Sequence, residues 1–335
     1  MNFIGNRNFR AGPQTSLEGF ICPQNSDKQQ KIKVFGRSGG ASLALLIVVE
    51  ITLRLVWGFG KMPLYAASDK YEYMALPNQS GVRLGNRYYY NVFGMRSDEV
   101  NPHKKHILGL GDSVIYGGVQ TDQDSLATSL FSAETGVQML NISAGSWGPD
   151  NCAAYLKEKG MFDAKGIFLL VSSHDAHDNM DFMPVVGVHP SYPDKQYPCA
   201  IAEVLCRYIY PRYILPIFDK GTQELDPDQK VLAGIGIHKD GKFFNPGFDQ
   251  LKAMADSVKI PLVIYLHAEQ GELMAKKYNE QGDEIIAWCK KNQVRLIEDL
   301  YLLTKDDYRD NVHINAKGQR IVANVMEKEF APLYK

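Results

Sequence analysis

The chain has 335 residues, 45% of them apolar, 22% charged and 11% aromatic, and its 37 basic and 38 acidic side chains leave a net charge of -1. That length buries a sizeable core without metal or disulfide staples, and with no excess of Lys and Arg to displace counterions from phosphates, no nucleic-acid partner is expected. The five cysteines (Cys22, Cys152, Cys199, Cys206, Cys289) are scattered and form no CxxC pair, which excludes a disulfide scaffold and a zinc ribbon.

Residues 1–40 are rich in Asn, Gln, Ser and Gly without apolar periodicity and read as a disordered cytoplasmic tail. Residues 41–60, ASLALLIVVEITLRLVWGFG, would span about 30 Å as a helix, the thickness of a bilayer core. Glu50 and Arg54 alone interrupt this run, at i and i+4, where they pair along one helix face. Six basic residues against two acidic ones precede it (Arg7, Arg10, Lys28, Lys31, Lys33 and Arg37 against Glu18 and Asp27). The positive-inside rule then predicts a single-pass anchor in the cytoplasmic (inner) membrane, with the N-terminus inside and residues after 61 extracytoplasmic, in the periplasm. A cleaved signal peptide ending near LYAAS at 64–68 is the competing reading, against which the 40-residue n-region stands. The Glu50/Arg54 face reads as a self-neutralised pair or, alternatively, as a docking face for a polytopic membrane partner.

Residues 61–105 read as a linker or pre-domain segment, with the aromatic run Tyr88, Tyr89, Tyr90 and the stretch NVFGMRSDE containing Asn91, Gly94 and Arg96. From there strands alternate with helices. Apolar runs predict strands at 106–111, 137–143, 166–173, 261–269 and 294–299. Periodic stretches predict helices at 121–134 (with Thr121 as N-cap), 149–159, 246–257, 280–292 and after Asn315. This rhythm implies an α/β domain over 106–335, a parallel sheet with helices on both faces. An insertion at 177–245, rich in Pro and Tyr, interrupts it and reads as a lid or binding loop. Cys199 and Cys206 lie inside it; on one helix they would stand about 10.5 Å apart, too far for a bridge.

Two places carry candidate chemistry. Gly111-Asp112-Ser113 ends the first sheet strand, where α/β sheets bind ligands, and aims the Ser113 hydroxyl into the crevice; Gly, Asp and Ser also make ordinary turns there. Some 200 residues on, Asp310 and His313 precede the last helix at a spacing that lets the carboxylate hold one imidazole nitrogen while the other faces a nucleophile. The run HDAHD at 174–178 offers His174, Asp175, His177 and Asp178 as metal-ligand types, but lacks a further converging ligand or an HExxH helix, so no metal and no cofactor is expected. His103 and His106 read as solvated, and His267 as a satisfied histidine at a strand end.

Four blocks in order, LGLGDSVIYGG, LNISAGSWGPDN, VSSHDAHD and DNVHINAKGQRIVA, resemble the SGNH (GDSL-type) hydrolase superfamily over residues 106–330. The resemblance implies a three-layer, flavodoxin-like parallel sheet of about five strands. It implies Ser113 as nucleophile, His313 as base and Asp310 as its orienting partner. An oxyanion hole would combine the Ser113 N–H, a backbone N–H at Gly145 or Ser146, and a side-chain donor from the third block. Two departures stand out. Counting five from Asn141 gives Ser146, with Gly145 one position early, and His174 occupies the place where the family supplies asparagine. Anchored members of similar layout imply an O-acetylesterase or O-acetyltransferase acting on an extracytoplasmic carbohydrate. A polysaccharide-binding subunit with a degenerate oxyanion hole and a lipid esterase are the alternatives.

Overall fold

The computed structural model describes residues 38–214, 217, 239 and 241–334. Most of the expected tail, and Cys22 with it, lies outside the described residues. The chain divides into two compact units, Met1–Leu46 and Ile47–Lys335. Helix α1 covers Ser38–Trp57 where the anchor is expected, and Leu55, Val56 and Trp57 are exposed. Among the described residues no helix is long and apolar enough to cross a membrane.

The segment read as a linker is part of the folded domain. It forms two antiparallel hairpins, β1 (Tyr65–Ser68) with β2 (Glu72–Ala75) and β3 (Gln79–Arg83) with β4 (Asn86–Tyr90). The β3–β4 turn is the two residues Leu84 and Gly85, both at positive φ (51° and 82°), the backbone of a type I′ turn. Tyr88 and Tyr90, two apart on β4, are both buried, so the tyrosine run is a strand with one face in the core. Arg96 is a clamp: its guanidinium donates to the carbonyls of Tyr116, Gly118 and Thr121. Asn91 folds back to accept from the N–H groups of Phe93 and Met95.

The sheet has five parallel strands, β5 (His106–Gly111), β6 (Gln138–Ser143), β7 (Ile167–Ser172), β8 (Leu262–His267) and β9 (Arg295–Glu298), in the order β6-β5-β7-β8-β9. Alternate residues of each strand feed two cores. Leu108, Leu140, Leu169 and Ile264 join helices α4 (Pro149–Lys159), α6 (Gly247–Ser257) and α8 (Glu280–Asn292) on one face. Ile107, Met139, Phe168 and Val263 join α3 (Ala127–Thr135) and α9 (Ala316–Glu329) on the other. The expected start of α3 at Thr121 is corrected: the Asp122 carboxylate accepts from Asp124 N–H and starts a separate 3-10 turn, and α3 begins after Leu126.

The insertion leaves the end of β7 and is pinned by the hairpins. Glu72 accepts from the N–H groups of Asp181 and Phe182 and pairs with Lys239 at 2.9 Å. Its helix α5 (Ala200–Val204) widens into a π-helical stretch, Leu205–Ile214, that holds Pro211. Cys199 precedes this helix as its N-cap, its Sγ accepting from Ala202 N–H at 3.3 Å, and both Cys199 and Cys206 are free thiols.

Candidate active site

Strand β5 ends in Gly111, and the chain turns at Asp112 into the short helix α2 (Ser113–Tyr116), where the Asp112 carboxylate accepts from Val114 N–H at 2.8 Å. The turn leaves Ser113 at the first helical position, beyond the carboxyl edge of the sheet. Asn141 on β6 fastens it from the side, donating to the Ile115 carbonyl and to Thr128.

The second contributor is the loop before α9. Asp310 accepts from the backbone N–H groups of Val312 (3.0 Å) and His313 (2.8 Å), and Asn315 caps α9 by accepting from Lys317 N–H and Gly318 N–H. Both Asp310 oxygens lie 2.9 Å from His313 Nδ1, and His313 Nε2 lies 2.8 Å from Ser113 Oγ. With the ring proton held on Nδ1 by the carboxylate, Nε2 is free to accept the serine proton. Burial would raise the Asp310 carboxyl, but the hydrogen bonds from the His313 ring and backbone hold it well below the usual carboxylate range.

Ser113, His313 and Asp310 open onto a cavity of about 390 Å³ that Gly145 and Ser146 also line. Gly145 stands against the nucleophile: a Cβ there would lie 2.5 Å from Tyr192 Oη and 3.9 Å from Ser113 Cβ. The off-by-one position of this glycine therefore brings it to the serine. Tyr73 Oη donates to the Gly145 carbonyl at 2.8 Å, and Ser146 holds a left-handed φ of 56°, so the peptide between them is fixed in orientation. Tyr192, from the insertion, forms part of the wall, and Tyr65 and Tyr116 meet hydroxyl to hydroxyl at 2.5 Å beside it.

His174 does not line this cavity. Its Nδ1 is 2.9 Å from Glu269, and its Nε2 faces Asp112 and Asp178 at 3.9 and 4.0 Å. Burial works against the charged ring, yet Asp175, Glu269, Asp112 and Asp178 together push its pKa up to about 10. Asp112, His174 and Asp175 present ligand atoms within 4.8 Å of one another, the one such grouping among the described residues. His177 turns away to Glu284, at 3.0 Å.

Sequence reasoning passed over one further pair. His267, at the end of β8, is fully buried, with Nδ1 2.6 Å from Asp299 and Nε2 2.8 Å from the Val312 carbonyl. A carbonyl only accepts and a carboxylate only accepts, so both ring nitrogens donate and the ring is an imidazolium. It grips the loop one residue before His313. The signal in the sequence was a strand-end histidine with an aspartate ending the next strand, which is meaningful only once β8 and β9 are known to be neighbours.

No family model and no curated protein matches the sequence. Among solved structures, the chain is similar to a member of the lipolytic G-D-S-L family from Veillonella parvula (12% identity, 68% of this chain and 98% of that one, TM-score 0.37). It is similar to a psychrotrophic esterase from Pseudoalteromonas (12% identity, 69% and 98%, TM-score 0.36). A two-domain esterase active on acetylated mannans is also similar, at 10% identity over 69% of this chain and 50% of that one, with a TM-score of 0.37.

Proposed function

We propose that the chain is a serine acyl-ester enzyme of the SGNH type that removes or transfers O-acyl groups, chiefly O-acetyl, on a carbohydrate. The observation that carries this is the run of contacts from Ser113 Oγ to His313 Nε2 and from His313 Nδ1 to Asp310, at the edge of one cavity. Ser113 Oγ attacks the ester carbonyl carbon as His313 Nε2 takes its proton. The developing oxyanion is met by the backbone N–H groups of Ser113 and Gly145. His313 returns the proton to the leaving alcohol. Water, or a second sugar hydroxyl, then gives its proton to His313 and attacks the acyl carbon; the bond to Ser113 Oγ breaks and His313 returns the proton to Oγ, so what occupies the second position separates esterase from transferase. An extracytoplasmic place belongs to the same proposal, supported by the apolar run at 41–60 and its basic flank.

The test is p-nitrophenyl acetate turnover by the full chain, with mass detection of an acetylated Ser113. Turnover in the parent and a fall of at least about a thousandfold in Ser113→Ala are expected. A folded parent that is neither active nor acylated refutes the reading. It would favour the alternative of a binding subunit, which the engagement of His174 with Glu269 rather than with the cavity supports. Faster turnover of long-chain than of acetyl esters would move the assignment to lipid esters.

A further inference from the structure

The cavity that holds Ser113 is lined by three arginines, Arg83 on β3, Arg207 on the insertion helix and Arg309 beside Asp310. Arg83 is neutralised. Its guanidinium pairs with Glu203, both side chains are buried, and the other Glu203 oxygen accepts from Gly60 N–H at 2.5 Å. Both oxygens of Glu203, one turn before Arg207, are thus engaged by other donors. Among the described residues no carboxylate pairs with Arg207; its contacts are Met62 Sδ at 3.7 Å and the face of Tyr208, with 5.9 Å from guanidinium to ring centroid. Among the described residues the one carboxylate beside Arg309 is Asp310, at 3.6 Å, which is already bonded to His313; the guanidinium otherwise reaches the Gly117 carbonyl at 3.5 Å. Burial holds the Arg309 guanidinium below its usual value, as happens to a cation short of anionic partners.

A neutral ester would bring no anionic partner to either guanidinium. A planar guanidinium is recognised in turn by a carboxylate, two N–H groups to two oxygens. Resting on the acyl-ester reading above, we propose that Arg207 and Arg309 form an anion subsite for a carboxylate on the alcohol side of the ester, so that the substrate is an acidic, uronate-type glycan rather than a neutral one. The insertion, which supplies Arg207, His189 and Tyr192 to the cavity, is then the element that sets specificity, while the sheet supplies the reacting groups.

Titration calorimetry of the full chain with a short oligogalacturonate and with a neutral manno-oligosaccharide of equal length tests this without relying on turnover. The acidic oligomer is expected to bind at least tenfold more tightly, to weaken as salt is raised, and to lose its advantage in Arg207→Gln while keeping part of it in Arg207→Lys. Equal affinity for the two oligomers, no binding of the acidic one, or an advantage that survives Arg207→Gln in a protein with the parent's melting temperature overturns it. Preference for p-nitrophenyl hemisuccinate over p-nitrophenyl acetate, without preference for the acidic oligomer, also overturns it by placing the charge on the acyl side. A parent that binds oligogalacturonate through Arg207 yet never acylates Ser113 keeps the subsite and rejects the enzyme.

Discussion

His313 can serve Ser113 only while the loop from 309 to 313 holds its shape, and the side chain gripping that loop from behind is His267. Its imidazolium is fixed between Asp299 and the Val312 carbonyl with no exposure to solvent. Burial opposes the charge on this ring, but Asp299 and the Val312 carbonyl hold its pKa above the ordinary value. A group raised in this way contributes stability that is complete below its unfolded value, near pH 6.5, and that is lost as pH climbs through the folded value. His174, raised to about 10, acts with the same sign, so the pH-dependent loss runs from about 6.5 towards 10. Replacing His267 with Gln, which keeps a donor but cannot be charged, is expected to lower the melting temperature at pH 6 and to flatten its decline between pH 6 and 9. It is also expected to lower kcat at nearly unchanged KM, because the defect lies in the placement of the base rather than in the cavity wall. A pH profile parallel to the parent's would show that the ring is not the charged group inferred here.

At the level of elements, the passage from β5 to α2 decides where the nucleophile stands. Gly111 has φ of +151°, and a Cβ on it would lie 2.3 Å from the Leu170 carbonyl oxygen on the neighbouring strand β7. Backbone cannot yield as a side-chain tip can, so one of the two strands must move. Gly111→Ala is expected to cost about 1–3 kcal/mol of overpacking, read from chemical denaturation. Activity should fall further than that loss of stability accounts for, since Ser113 is two residues away and its contact with His313 is only one hydrogen bond long. Full activity in a destabilised Gly111→Ala protein would mean that the strand end tolerates displacement. The Gly-Asp-Ser triplet could be read in the sequence as a turn or as a site; what separates the two is the loop at 310–313 arriving opposite it. That meeting, across some 200 residues, was legible only because strand and helix periods alternate on either side of the insertion at 177–245.

Across the whole molecule, the regular part of the sequence was the legible part. All five sheet strands and helices α4, α6, α8 and α9 lie within a residue or two of where apolar periodicity predicts them, because strands covered on both faces are uniformly apolar and their helices amphipathic. The hairpins at 65–90 escaped because their buried faces mix tyrosines, whose polar tips mask the alternation, with the charged Glu72 and Arg83, and because Leu-Gly is a poor advertisement for a type I′ turn. The Glu50/Arg54 pair was legible from spacing and is present at 2.6 Å, but Glu50 does more than neutralise its neighbour. Its carboxylate also accepts from Ala200 N–H at 2.8 Å and Ile201 N–H at 2.9 Å, the start of the insertion helix that carries Glu203 and Arg207. A negative charge on two otherwise unpaired N-terminal amides stabilises that helix end both by hydrogen bonding and through the helix dipole. The end of α1 and the wall of the cavity are therefore joined through one side chain. In Glu50→Ala, hydrogen exchange of the amides at 200–204 is expected to accelerate by at least about tenfold, corresponding to about 1–2 kcal/mol of lost capping. The exchange of β5 and β7 should be unchanged, and KM should rise more than kcat falls, since the wall loosens while Ser113 and His313 keep their contact. Exchange at 200–204 equal to the parent's would mean that the insertion helix is seated without Glu50, through contacts such as the buried Arg83–Glu203 pair, and that Glu50 serves only Arg54.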